Sequence, residues 1–156
     1  MNKSALQQQI IATLEADREV AKAVLAATHE AATHAESKAE NKYDTRGLEA
    51  SYLAAGQSRR VEEIRRALAA WRTLQMRPYD DDQGIQLGAL IHLADAQDRR
   101  QCLMLGPDGA GLKLQLAGQE VLLITAQAPL GQQLLGRGPG DEVRLGQTPW
   151  RIVGVA

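Results

Sequence analysis

The chain has 156 residues, with 18 Lys/Arg against 19 Asp/Glu, and a single cysteine. Its only aromatic residues are Tyr43, Tyr52, Tyr79, Trp71 and Trp150. A balanced charge in both halves excludes a protein that grips nucleic acid by its phosphates alone, and so few scattered rings exclude a base-stacking surface. One cysteine excludes an intrachain disulfide and a multi-cysteine zinc site. The neighbours of Cys102, Gln101 and Leu103-Met104-Leu105, make it a buried strand thiol suited to a reducing cytoplasm. No apolar run of eighteen residues and no leader pattern occurs, so neither a membrane span nor a signal peptide is expected.

Residues 4–75 lack proline and read as helix throughout, with Ser4 as the expected cap. Leu6, Ile10, Leu14, Ala21, Val24 and Thr28 recur at steps of three, four or seven. Leu53, Gln57, Val61, Ile64, Leu68, Trp71 and Leu74 repeat the pattern. Between the two stripes lies the polar stretch Glu40-Asn41-Lys42-Tyr43-Asp44-Thr45-Arg46-Gly47. One helix alone does not bury so narrow a stripe. Two helices, near 4–42 and 47–75, are therefore predicted to fold back as an antiparallel coiled-coil hairpin. A single unbroken helix that dimerises is the alternative.

The tip of such a hairpin, near 36–47, gathers polar residues without a packing reason. Glu36, Glu40 and Asp44 stand at i, i+4 and i+8, drifting about 40° per step around one face. Carboxylates so aligned suit a loosely held Mg²⁺, which keeps most of its waters and accepts one or two carboxylates. Asp44 or Thr45 serves equally as the cap of the second helix, and Glu36 as a partner for Lys42. His29-Glu30 and His34 miss the zinc-protease spacing, because histidines five apart lie roughly 140° around a helix. Arg59, Arg60, Arg65, Arg66 and Arg72, interspersed with Glu62 and Glu63, read as a solvated face.

Pro78 stops the helical part, and Asp80-Asp81-Asp82 makes 77–84 a soluble linker. Beyond Gly84 the period becomes two: Ile85, Leu87, Ala89 and Ile91 alternate, as do Leu112, Leu114 and Leu116. Further short strands are expected at 100–105, 120–124, 143 onward and 150–155, with turns at Gly106-Pro107-Asp108-Gly109 and Ala117-Gly118-Gln119. The fold class is α+β: a helical hairpin over 1–76, the linker 77–84, and an antiparallel sheet domain with one short helix over 85–156.

The densest local signal is Ala128-Pro129-Leu130-Gly131-Gln132-Gln133-Leu134-Leu135-Gly136, followed by Gly140-Asp141-Glu142-Val143. An extended X-Pro entry leads into one helical turn carrying Leu134 and Leu135. Glycine ends the turn, and Gly138-Pro139-Gly140 redirects the chain into a strand. The run resembles the signature S-P-L-G-x-A-L-L-G…G-D-E-V of the C-terminal domain of the Gre transcript-cleavage factors. In the tip, Ala39-Glu40-Asn41-Lys42-Tyr43 is similar to that family's G-D-L-S-E-N-A-E-Y, with Glu40-Asn41 on its E-N. The family's aspartate falls on Ser37.

The resemblance implies an FKBP-like C-terminal domain without isomerase activity. It implies a cytoplasmic, monomeric elongation factor that binds bacterial RNA polymerase at its secondary channel and is not itself an enzyme. Gln127, Ala128 and Pro129 fall on the polymerase-binding turn, where only the proline of S-P is kept. Glu40, with Glu36 or Asp44 as substitutes for the missing aspartate, falls on the residues that assist cleavage of backtracked RNA. Glu40 and Asp44 would act on a Mg²⁺ shared with the polymerase, and the arginine row would meet nascent RNA. A Gre-shaped channel regulator without cleavage activity, and a coiled-coil adaptor unrelated to polymerase, are the other readings.

Overall fold

The computed structural model describes residues 2–37 and 46–156. Its contacts divide the chain into two compact units, Met1–Ile11 with Ala69–Ala156, and Ala12–Leu68. The division falls inside the two long helices, whereas the change of period at 77–84 marks where helix gives way to sheet.

Helix α1 spans Lys3–Ser37 and helix α2 spans Arg46–Thr73. The first cap is Asn2 rather than the expected Ser4. The Ala5 N–H donates to Asn2 Oδ1 at 3.0 Å, which satisfies one amide of the opening turn and draws Ser4 into the helix. The Gln7 side-chain amide donates to the carbonyls of Trp71 and Leu74, at 2.8 and 2.9 Å. The start of α1 therefore meets the end of α2 within one chain. A single unbroken helix, which would hold Gln7 and Trp71 roughly 96 Å apart, is ruled out.

In the unit 12–68, Leu14 and Ala21 of α1 and Ala54, Ile64, Ala67 and Leu68 of α2 are buried. Leu53, expected in the stripe, is 63% exposed, and Ala54 takes its place. Residues 54, 57, 61, 64, 68 and 71 step by three and four in strict alternation, which keeps one seam facing the partner. Leu53 sits about 100° off that seam. Val24 likewise points outward.

The other unit holds a six-stranded sheet: β1 Leu90–Ala94, β2 Arg100–Gly106, β3 Lys113–Leu116, β4 Gln119–Thr125, β5 Glu142–Leu145 and β6 Thr148–Val155. Helix α3, Pro129–Leu134, lies between β4 and β5 in sequence. The spatial order is β3-β4-β2-β1-β6-β5. The sheet is mixed, not antiparallel as expected, because β2 and β4 run parallel. The link 107–112 carries the chain past the place of β4 to the sheet edge, and β4 then returns between β3 and β2 with the direction of β2. Period-two patterning specifies which side chains share a face but not which strands are neighbours.

One face of this sheet is packed along its length, and the other is covered at β2 and β4 but exposed at Glu142, Arg144, Pro149 and Arg151. On one, Ile91, Leu93, Leu103, Leu105, Val143, Trp150 and Ile152 pack with Leu134 of α3 and with Ile85 and Ala89, which precede β1 as coil instead of forming a strand. On the other, the fully buried Trp71 lies against Gly106 and Leu123, and its indole N–H donates to the Asp108 carbonyl at 2.8 Å. A Cβ at Gly106 would fall 2.3 Å from the Trp71 ring, so glycine is what admits the indole.

Candidate functional site

The turn between β4 and β5 is built as one device. Ala128 is extended (φ −67°, ψ 149°), as a residue before proline prefers, and Pro129 starts α3 at the position where a missing N–H costs nothing. The Ala128 N–H donates to Thr125 O at 3.2 Å, and Gln132 N–H to Ala128 O at 2.9 Å. No side chain caps this helix. Gly131 is buried against the chain that enters the turn, and a Cβ there would lie 2.0 Å from Thr125 O. Leu134 goes into the core, whereas Leu135 is 39% exposed. The chain leaves the helix at Leu135, and Gly136 adopts φ +79°.

The exit is fixed from the opposite side. Gly136 N–H donates to Ile85 O at 2.9 Å, and Ile85 N–H to Arg137 O at 2.8 Å. Gly84 abuts the Gly136 carbonyl so closely that a Cβ would be 2.3 Å away. Asp141 closes the next bend by accepting the Gly138 N–H at 2.9 Å. Gln133 binds β5 at two points: its Nε2 donates to Arg144 O at 2.9 Å and its Oε1 accepts the Arg144 N–H at 2.8 Å. Gln127 and Pro129 are exposed on this turn, and Ala128 between them is half-buried. The three residues singled out from the sequence, adjacent in the chain, lie at the entry of α3.

The tip residues are not all within the structure. Glu36 belongs to the last turn of α1, while Glu40 and Asp44 lie outside the described residues. Among the described residues no cluster of three or more His, Cys, Asp or Glu side chains is placed to hold a metal. A set of carboxylates such as Glu40 and Asp44 fits a hard cation by its donor chemistry. Asp80 closes a turn, its Oδ1 accepting the Asp82 N–H at 2.9 Å. The arginine row pairs largely with its own helix. Arg65 lies 2.5 Å from Glu62, Arg66 3.6 Å from the same carboxylate, and Arg60 4.0 Å from Glu63. Hydrogen bonds from Arg65 hold the Glu62 carboxyl down to about 2. His34 stands 3.7 Å from Glu30 on the exposed face of α1.

Sequence reading missed Gln133 and Tyr79. The first had a signal, a glutamine where the resembled pattern carries alanine. The second had none, because its role is to fill space beside Gly138, where a Cβ would come 2.5 Å from the phenol oxygen.

The class these observations define is an α+β protein with two long N-terminal helices and a C-terminal six-stranded mixed sheet carrying one short helix. No family model matches the chain, and no curated protein sequence matches it. Among solved structures it is similar to the GreA factor homolog 1 (Gfh1) protein of Thermus thermophilus, with 18% identity, a TM-score of 0.39 and 94% of each chain covered. A further structure of the transcription factor Gfh1 gives 18% identity and a TM-score of 0.38, covering 93% of this chain and 92% of the other. Gfh1 of Thermus aquaticus gives 20% identity and a TM-score of 0.36, covering 92% and 91%.

Proposed function

We propose that this chain is a Gre-like accessory factor that docks on bacterial RNA polymerase through the turn at Gln127, Ala128 and Pro129 and lends the polymerase carboxylates from the tip near 36–47. The observation that carries this reading is the convergence of motif and structure. The run Pro129-Leu130-Gly131-Gln132-Gln133-Leu134-Leu135-Gly136 with Gly140-Asp141-Glu142-Val143 resembles the Gre signature, and each of its glycines at 131 and 136 has a steric or backbone task in a solvent-facing turn. The same chain carries a pair of long helices whose ends meet, as that family's hairpin requires.

In this reading the sheet domain, taken as FKBP-like, supplies affinity. The hairpin supplies Glu40, with Glu36 or Asp44 beside it, and the factor is a cytoplasmic monomer without catalytic activity of its own. A Mg²⁺ shared with the polymerase supplies the Lewis acidity for hydrolysis when bound. Glu40 and Asp44 are the residues that would help hold it. Exposed carboxylates displace little of the hydration of Mg²⁺, so the free protein binds the ion weakly. The arginines at 59, 60, 65, 66 and 72 are the candidates for contact with nascent RNA.

One observation favours a second reading. Ser37 stands where the resembled tip pattern has aspartate, which removes one carboxylate and suits a regulator that occupies the channel without promoting cleavage. The deciding experiment measures polymerase binding and RNA release from backtracked complexes across a Mg²⁺ series. Under the first reading Glu40→Ala abolishes cleavage with binding retained, and Ser37→Asp raises cleavage. Binding without cleavage at any Mg²⁺ concentration selects the regulator, and absence of polymerase binding removes both.

A further inference from the structure

The two outermost strands of the sheet, β3 and β5, are each met by a glutamine side chain. Gln115 on β3 exchanges two hydrogen bonds with Gln9: its N–H donates to Gln9 Oε1 at 2.9 Å, and its carbonyl accepts from Gln9 Nε2 at 3.0 Å. Arg144 on β5 exchanges the corresponding pair with Gln133, at 2.8 and 2.9 Å. A primary amide offers one acceptor and one donor side by side, as a peptide group of a neighbouring strand does. Each glutamine therefore acts as a one-residue surrogate strand on an open edge. In β5 the geometry is consistent with this role, because Arg144 stands opposite Pro149, where the ladder makes no hydrogen bond and the Arg144 peptide groups face outward.

Gln133 has a second consequence, because it sits in α3. That helix has six residues, no side-chain cap and two of its residues, Gly131 and Leu134, in the core. So short a helix is not stable on its own. The amide pair to Arg144 is what anchors its outer side to the sheet, and Arg137 Nε adds a bond to the Gln133 carbonyl at 3.3 Å. At this place the resembled Gre pattern carries alanine, which cannot make the pair.

We propose that Gln133 is a positioning residue: it locks the turn 127–136 onto the edge of β5 and so sets the pose of the Gln127–Pro129 surface. The consequence for docking rests on the polymerase reading above; the lock itself does not. Nuclear magnetic resonance of the full chain tests it by comparing wild type with Gln133→Ala and Gln133→Glu. In wild type the Arg144 amide exchanges slowly and one proton of the Gln133 carboxamide is protected. In Gln133→Ala the Arg144 amide exchanges at least about tenfold faster, and the amides of Gln132 and Leu135 lose order, while those of β1 and β2 are unchanged.

Gln133→Glu keeps the acceptor and loses the donor at neutral pH. Protonation of the new carboxyl restores an O–H donor, so order in α3 returns as pH falls below about 4.3, a dependence that mere filling of space does not produce. An Arg144 amide already unprotected in wild type, or an α3 equally ordered in Gln133→Ala, overturns the proposal. With the lock verified, polymerase affinity of Gln133→Ala falls about tenfold if the turn docks as proposed. A wild type that does not bind polymerase defeats the docking reading and leaves the exchange result to judge the lock.

Discussion

At Gly131 the backbone and a missing side chain decide the local structure together. Any Cβ there meets the Thr125 carbonyl at 2.0 Å, and backbone cannot yield as a flexible side chain does. Gly131→Ala is expected to destabilise the sheet domain by about 1–3 kcal/mol, read from urea midpoints. Cys102 illustrates the reverse case of a residue whose chemistry the fold suppresses. It is buried in β2, and burial pushes its thiol up to about 11. Alkylation by iodoacetamide at pH 8 is expected to be slow in the native protein and fast in urea, since only the thiolate reacts. Rapid native labelling would show that β2 opens.

Trp71 and Pro129 set the outcome at the scale of elements. Trp71 joins the last turn of α2 to the sheet through the Asp108 carbonyl and the gap left by Gly106. Removing a wholly buried indole leaves a cavity that the surrounding strands cannot close. Trp71→Ala is therefore expected to cost about 3–5 kcal/mol in chemical denaturation, more than any exposed-face change in α1 or α2. Pro129 starts α3 from an exposed position. Pro129→Glu should fold, because glutamate is tolerated in a first helical turn. Polymerase binding should weaken if this turn is the docking surface, and undiminished binding by the folded variant would place docking elsewhere. If this turn docks as proposed, Ala128 in the place of the resembled pattern's serine forgoes a hydroxyl contact worth on the order of 1 kcal/mol.

For the whole molecule, acid should act in two steps. Burial, and then the charge of Arg100, lower the His92 imidazole below its ordinary value. The folded state thus takes up its proton later than the unfolded chain. The stability this provides is complete above about pH 6.5 and is lost as pH falls through the folded value. A second loss follows in the carboxylate range. The Asp95 side chain is 1% exposed, and although its burial raises the carboxyl, the Arg99 backbone and guanidinium and the Gln97 N–H outweigh it and hold the group low. Glu62 contributes in the same direction down to about 2, though its exposed pairs are screened by salt. Urea midpoints measured from pH 7.5 to 3 should fall in both windows, and His92→Gln should flatten the first alone.

The sequence by itself determined the class of each half, because periodicity is a property of consecutive residues. Steps of three and four over 4–75 marked helix, without deciding between two helices and one, and alternation beyond Gly84 marked sheet, although the strand begins only at Leu90. Pro129 with Gly131 and Gly136 fixed a short helical turn, since those residues restrict the backbone wherever they occur. Only the tertiary structure decided what depends on meetings between distant segments. It placed Ala54 instead of Leu53 in the seam, since a shift of one residue turns a helix by about 100° and the sequence offers a larger apolar side chain at the wrong angle. It set β4 parallel to β2, because strand order follows from how the chain packs and not from alternation. Finally, it turned Gln9 and Gln133, unremarked among polar neighbours, into closures for the two sheet edges, a role that exists only where a side-chain amide meets an unpaired peptide group.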